Sequence, residues 1–402
     1  MRYFKKPLNI CIFIRATTFH NKSGGLETQN RVLAEGLVKN GHKVIVISTS
    51  LSNSKKNYLF EKGVGYYFVK SPLGIYSSKW YQESLNAFKI FIKRESFDVL
   101  ISQSSAGKEV FKSVLDIRKV TINHGTSFGE IKNRFKTIKS FRNIGRFLLK
   151  DIPMWFKGRV EDREIFKASD LIVCVSSILA DQVKKEFPKF KEKVVVVDNG
   201  VEVKRFKVQD SRLKAKKNRP IGLLYIGRID REKGIEILLK AFSILCRKSY
   251  TLHLNLVGFG PHLGEFRNLS KRLGIDDVVT FVGEVSNDQT PKYYKQADIF
   301  ILPSLRQEGF PMVLAEAMAA SLPIIASSIG GIPSAVKNNT NGLLVKPKSV
   351  ESLSKALESL VVDKKLRNEL SEGSRRFSKA KYSQDIMIKK YIKYIRLINP
   401  KY

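Results

Sequence analysis

ADIFILPSLRQEGFPMVLAEAMAA, residues 297–320, passes from an apolar run through a short polar loop into a run of helix formers. A continuous apolar run suits a strand buried on both faces of a parallel sheet. Pro311 is expected at the first helical position, where a missing N–H costs nothing. Met312 to Ala320 favour helix apart from Val313. The pattern predicts strand, tight loop, helix. Glu308 then falls on the loop at the strand's carboxyl end, and Glu316 about a turn and a half inside the helix.

That arrangement suits a phosphorylated ligand. The first helical turn offers backbone N–H groups from Met312 and Val313 and the positive end of the helix dipole. A carboxylate inside the helix can accept two hydrogen bonds from a ribose diol, and one on the loop can hold sugar hydroxyls. Two glutamates eight positions apart also describe any solvated helix face. Gly309-Phe310-Pro311 and the apolar strand ahead of it set this pair apart.

Working outward, apolar runs alternate with helix-patterned stretches along the chain, as in parallel sheets covered by helices. Strands are expected at 8–14, 43–49, 66–70, 98–102, 119–123, 170–176 and 193–198, with a helix over Glu27 to Lys39. The polar, basic segment Lys207 to Pro220 reads as a linker. A second set of strands follows at 221–227, 251–258, 278–283, 298–303, 323–328 and 342–345. The 402 residues suit two α/β domains of roughly 200 each. The expected division is one α/β domain over 1–206, a second over 207–382 and a terminal helix over 383–402. Ligands of such sheets bind beyond the carboxyl ends of the strands, so two doubly wound domains are expected to face each other across a cleft.

Composition narrows the class. No run reaches the roughly 18 apolar residues of a membrane span, and LNICIFI near the start is cut short by Arg15, better a buried strand than a secretory signal. Cys11, Cys174 and Cys246 are scattered and flanked by apolar residues, which suits buried thiols in a reducing cytoplasm rather than disulfides or a metal site. The formal charge of +35 predicts attraction to something anionic: nucleic acid, acidic lipid or a phosphorylated substrate. It also suits a lysine-rich chain that is merely soluble.

Other motifs fall where strands end. Ser23-Gly24-Gly25 opens a helix, where paired glycines admit a close ligand or form a flexible turn. His124-Gly125 follows KVTIN and could bond a sugar hydroxyl or move a proton, or serve structure alone. Arg228 and Lys233 flank the entry to the next helix as a planar fork and a mobile point charge, a pair suited to a diphosphate. Gly258-Phe259-Gly260 is a G-x-G fragment without the rest of the dinucleotide fingerprint. Gly283 could set backbone against a nucleobase or simply turn the chain.

Gly24-Gly25, His124-Gly125, Gly227-Arg228 with Lys233-Gly234, the Gly258/Gly260 loop and Glu308-x7-Glu316 occur in that order. Together they resemble the retaining nucleotide-sugar glycosyltransferases of family GT4, with the GT-B fold, over roughly residues 8–398. The resemblance implies that Arg228 and Lys233 hold the donor diphosphate, Glu316 the ribose and Glu308 the donor sugar. Backbone from Phe310, Pro311, Met312 and Val313 would touch sugar and phosphate. Gly25 would close over the diphosphate, and His124 would reach the sugar or the reacting centre. It further implies a UDP- or GDP-sugar donor, no cofactor, no metal (the chain has no Asp-x-Asp) and a last helix returning to the first domain. One departure is Gly330-Gly331-Ile332-Pro333-Ser334, where many relatives carry Glu after the proline.

The acceptor is expected to be a saccharide, lipid-linked, in cell-surface polysaccharide or glycolipid synthesis. Between Ile131 and Phe166, Lys132, Arg134, Lys136, Lys139, Arg142, Arg146 and Lys150 interleave with Phe135, Phe141, Phe147, Trp155 and Phe156. That composition suits a surface lying on anionic lipid, each cation worth about 1 kcal/mol, though it also fits plain helices with a basic exterior. The expected place is peripheral, on the cytoplasmic face of the membrane. Competing readings are a GT-B epimerase, a soluble glucan synthase or a nucleic-acid-binding protein. The last is disfavoured because no zinc-finger or RNP-type motif occurs and the cations spread over both halves.

Overall fold

The computed structural model describes residues 6–20, 24–51, 57–114, 116–125, 149, 151–207, 219–248 and 250–398. The basic, aromatic stretch 131–148, Lys150, Ser23 and most of the expected linker, 208–218, lie outside them. The chain divides into two units. One ends at Asn199 and resumes at Gln384; the other runs Gly200–Ser383.

In the first unit, eight strands order as β3-β4-β2-β1-β5-β6-β7-β8. They are β1 Asn9–Phe13, β2 Lys43–Thr49, β3 Tyr58–Glu61, β4 Val64–Val69, β5 Val99–Gln103, β6 Arg118–Asn123, β7 Leu171–Cys174 and β8 Val194–Val196. Neighbours run parallel except β3 against β4. Ile10 to Phe13 are wholly buried, as a central strand covered on both faces demands. The sequence pattern omits β3. It arises from a two-residue turn at Lys62-Gly63, both at positive φ (49° and 81°), which joins strands with their natural twist.

The second sheet is wholly parallel, ordered β11-β10-β9-β12-β13-β14. Its strands are β9 Ile221–Ile226, β10 Leu252–Val257, β11 Val279–Gly283, β12 Ile299–Leu302, β13 Ile324–Ser327 and β14 Gly342–Val345. From β9 the chain winds outward to β11, then crosses to β12 and winds the other way. The order therefore reverses between β9 and β12, and loops leaving those strands part to opposite faces. In the first sheet the same reversal lies between β1 and β5.

Two expectations shift. The helix after β12 starts at Met312, and Pro311 precedes it with an extended ψ of 119°; Leu314 N–H donates to the Pro311 carbonyl, so the proline's own missing N–H is still harmless. The segment 200–206, expected to close the first domain, sits in the second unit. Its short helix Val203–Phe206 packs there, Phe206 meeting Tyr294 edge-on with ring centres 5.5 Å apart.

The helix Gln384–Leu397 packs in the first unit against the helix Gly25–Lys39. Gln384 Nε2 donates to the Val32 carbonyl at 2.7 Å. A Cβ on Gly36 would stand 2.7 Å from Ile388 Cγ1, so glycine is required by close approach despite its helix cost. By contrast, a Cβ on Gly264, in the helix Leu263–Arg272, would meet nothing. Gly36→Val is expected to lower unfolding free energy by about 2 kcal/mol through overpacking. Gly264→Ala is expected to raise it by about 0.5 kcal/mol through helix propensity; urea unfolding followed by far-UV dichroism checks both.

Candidate functional site

At the reversal of the second sheet, the loop after β9 carries Arg228 and Lys233, and the loop after β12 carries Glu308. The β9 loop is held by backbone packing from both sides. A Cβ on Gly234, which has φ +74°, would lie 2.0 Å from the Pro303 carbonyl oxygen in the β12 loop. On the other side, Cβ atoms on Gly258 and Gly260 would lie 2.0 and 2.1 Å from the carbonyl oxygens of Gly227 and Ile229. The β13 loop presses on the β12 loop likewise: a Cβ on Gly331 would meet the Gly309 oxygen at 1.8 Å. Gly331 N–H also donates to the Glu308 carbonyl at 2.7 Å. At Gly258 and Gly260 the place of a side chain is thus taken by neighbouring carbonyls, which leaves only their backbone to face a ligand. Around Gly283, at φ +90°, the space is open, and its carbonyl accepts from Gly258 N–H at 2.8 Å.

This packing brings the charged side chains together. Lys233 Nζ pairs with Glu308 Oε1, which also accepts from Ser304 Oγ at 3.1 Å. Burial alone would push the Glu308 carboxyl up, but the Lys233 ammonium, with Arg306 and the Ser304 hydroxyl, outweighs it and holds Glu308 below the usual range. Arg228 Nη2 is 2.6 Å from Asp230 Oδ2 and 4.0 Å from Glu232 Oε2. The other Asp230 oxygen accepts from Glu232 N–H at 2.7 Å, capping the turn Arg231–Lys233. Arg228 is half exposed while Asp230 is buried, so the carboxylate aims the guanidinium outward.

Glu316 sits in a different environment. It is buried in the helix Met312–Ala319, and Oε2 accepts from Tyr294 Oη at 2.7 Å. Burial raises its carboxyl above the usual range, against the pull of the Tyr294 hydroxyl and Arg205. Phe310 and Met312 are buried; Phe310 packs on Tyr382 with ring centres 5.2 Å apart, which leaves the backbone of this turn as its polar surface.

The remaining expected residues lie in the first unit. Gly24 and Gly25 begin the helix after β1, both exposed, with Glu27 Oε2 accepting from Gly24 N–H at 2.8 Å. His124 follows β6, with Nε2 2.6 Å from Gln103 Oε1. Burial and the nearby Arg15 charge push its imidazole down to about 4, so the ring is neutral at physiological pH. The sequence reading passed over Asp230, Ser304, Arg306, Tyr294, Arg205 and Gln103. Asp230 had a local signal, an Asp two residues before Glu232 at a turn; the others are assembled by tertiary contact.

Gly331→Ala, whose Cβ cannot fit against Gly309, is expected to displace the Glu308 loop and lower stability by about 3 kcal/mol, read from urea midpoints. Glu316 has a raised folded-state value, so its ionised form subtracts stability above the ordinary value of 4.5, and that loss disappears as pH falls. Glu316→Gln is therefore expected to raise the urea midpoint at neutral pH, with the gain vanishing at acid pH.

The model described as Glycosyltransferase Family 4 matches residues 23–205, and that described as Glycosyl transferases group 1 matches residues 205–377. An uncharacterized glycosyltransferase of Methanocaldococcus jannaschii is 26% identical over 387 residues, 92% of this chain and 93% of its own. A GDP-mannose-dependent alpha-(1-6)-phosphatidylinositol monomannoside mannosyltransferase of Mycobacterium tuberculosis is 28% identical over 245 residues, 58% of this chain and 63% of its own. The structure of Anabaena HepE in complex with UDP and glucose superposes with a TM-score of 0.72 at 18% identity, covering 97% of this chain and all of that one.

Proposed function

The chain belongs to the family 4, group 1 glycosyltransferases, nucleotide-sugar enzymes of the GT-B fold, and within that family we propose that it transfers a hexose to a lipid-linked saccharide with retention of anomeric configuration. One observation carries the proposal: Arg228 and Lys233 after β9 and Glu308 after the adjacent β12 lie beyond the strand ends where the second sheet reverses, with Lys233 paired to Glu308. That crevice is where an α/β sheet binds a ligand.

The donor is a UDP- or GDP-sugar. Arg228 and Lys233 grip its diphosphate, and Lys233 exchanges part of its bond to Glu308 for a phosphate oxygen. Glu308 accepts hydrogen bonds from the sugar, and Glu316 from the ribose. Backbone N–H groups of Met312 and Val313 reach phosphate or sugar, while Gly258, Gly260 and Gly283 shape the pocket beside the base. Gly24 and Gly25 offer backbone to the diphosphate, and His124 accepts from a sugar hydroxyl. In the transfer step the bond from the anomeric carbon to the diphosphate oxygen breaks. The acceptor oxygen bonds that carbon on the same face, and the acceptor's proton passes to the departing diphosphate. Side-chain cations neutralise the charge that builds on the leaving group, so the reaction runs without a metal ion.

A lipid-linked acceptor is supported by the helix Ile152–Ala168, where Met154, Phe156 and Val160 are exposed among basic residues, with Leu149 just before it. Among the described residues no helix is long and apolar enough to cross a membrane. Binding in this reading is peripheral, by apolar insertion plus attraction of the positive chain to anionic headgroups.

Proton NMR of the product from UDP- and GDP-sugars is expected to show the donor's anomeric configuration; inversion, or epimerisation without transfer, overturns the proposal. Arg228→Ala is expected to lower kcat about a hundredfold, the size of lost leaving-group stabilisation, whereas Glu316→Ala mainly raises the donor KM. Sedimentation with anionic vesicles at low salt, lost at high salt, checks the membrane reading.

A further inference from the structure

Gln103, the last residue of β5, is fully buried at the reversal of the first sheet. Its Nε2 donates to Gln29 Oε1 and Asn30 Oδ1, each at 3.0 Å. Both partners are buried in the helix Gly25–Lys39. An amide nitrogen has two hydrogens, and both are used. The Gln103 Oε1 is left as an acceptor only, 2.6 Å from His124 Nε2. An acceptor facing a ring nitrogen at that distance requires the ring to donate. The proton of a neutral imidazole therefore sits on Nε2, and Nδ1 holds a lone pair.

We infer that Gln103 is a positioning residue that locks His124 as the Nε2–H tautomer and so presents Nδ1 as an acceptor for a hydroxyl of the sugar. The clause about the hydroxyl rests on the reaction proposed above; the tautomer rests on the first unit alone. Three features support it. Asn30 fixes the Gln103 amide from a second element, so the glutamine cannot turn its nitrogen to the ring without leaving that buried acceptor unpaired. Burial, and after it the Arg15 charge, keeps the ring neutral, so Nδ1 remains an acceptor rather than a donor. Among the described residues nothing bonds Nδ1. A histidine in the other tautomer would present a donor there and reject the same hydroxyl orientation.

The chain has five histidines, so the imidazole nitrogens of the full-length protein, labelled with the heavy nitrogen isotope, can be resolved by NMR. Loss of signals in His124→Asn assigns the ring. The expected result at neutral pH is a protonated Nε2 and a bare Nδ1. Gln103→Leu is expected to give a mixture of tautomers and a kcat about tenfold lower, with the donor KM within about twofold. Gln103→Glu keeps the acceptor and the tautomer, but its carboxylate favours imidazolium, so the acid limb of the kcat profile moves up by about one pH unit. Gln103→Leu added to His124→Ala costs nothing further, because the glutamine acts through the ring. A protonated Nδ1 in the parent protein, or a tautomer unchanged by Gln103→Leu, overturns the positioning role even if His124→Ala is impaired. The expected tautomer with unimpaired His124→Ala turnover overturns instead the histidine's part in the proposed reaction, and the catalytic use of Gln103 with it.

Discussion

Backbone pressed against backbone is the constraint on which the second unit's site depends. Four consecutive loops along the sheet edge, after β10, β9, β12 and β13, touch through Gly258, Gly260, Gly234 and Gly331, each with a carbonyl where a Cβ would be. No other residue leaves that volume empty. The result is a rigid edge that fixes the positions from which Arg228, Lys233 and Glu308 extend. A long, flexible cation would otherwise lose much of its rotamer freedom on binding a diphosphate. Here the loops and the Asp230 and Glu308 carboxylates restrict Arg228 and Lys233 in advance.

The two glutamates of the E-x7-E pattern are electrostatic opposites. Glu308 is held ionised by an ammonium, while Glu316 is strained towards its neutral form by burial and keeps one hydroxyl partner. A buried carboxylate without a full cationic partner costs stability. Such a cost is tolerated where a ligand supplies the missing donors, which is the part a ribose diol plays for Glu316 in the proposed complex. The first unit handles its buried polar groups differently: Gln29, Asn30, Gln103 and His124 bond one another in series. That series is made of neutral groups, so it leaves no buried charge uncompensated.

Most of the sheet architecture was legible from alternating apolar runs, because parallel strands buried on both faces must be apolar throughout. The hairpin strand β3 was missed, since its alternation leaves Tyr58 and Phe60 exposed and only the Lys62-Gly63 turn marks it. Within the site, Glu308, Arg228 and Lys233 could be picked out because each follows a strand, and Glu316 because it stands eight positions after Glu308. Their partners could not. Lys233 and Glu308 are 75 residues apart and meet only because β9 and β12 are neighbours. Gly330 and Gly331 were noted for the residue that follows them, whereas their own lack of a side chain is what the β12 loop requires.

Hydrophobic periodicity, loop glycines and the order of motifs belong to the sequence by itself, and they determined two α/β sheets, the family and the candidate charged residues. These are local properties, set by each residue's own conformational and burial preferences. Tertiary structure alone decided which carboxylate meets which cation, which glutamate is strained, which glycines are filled by carbonyls rather than open, and that Gln103 faces the His124 ring. Those facts depend on distances between chain segments tens of residues apart, and strand order, not strand sequence, sets such distances.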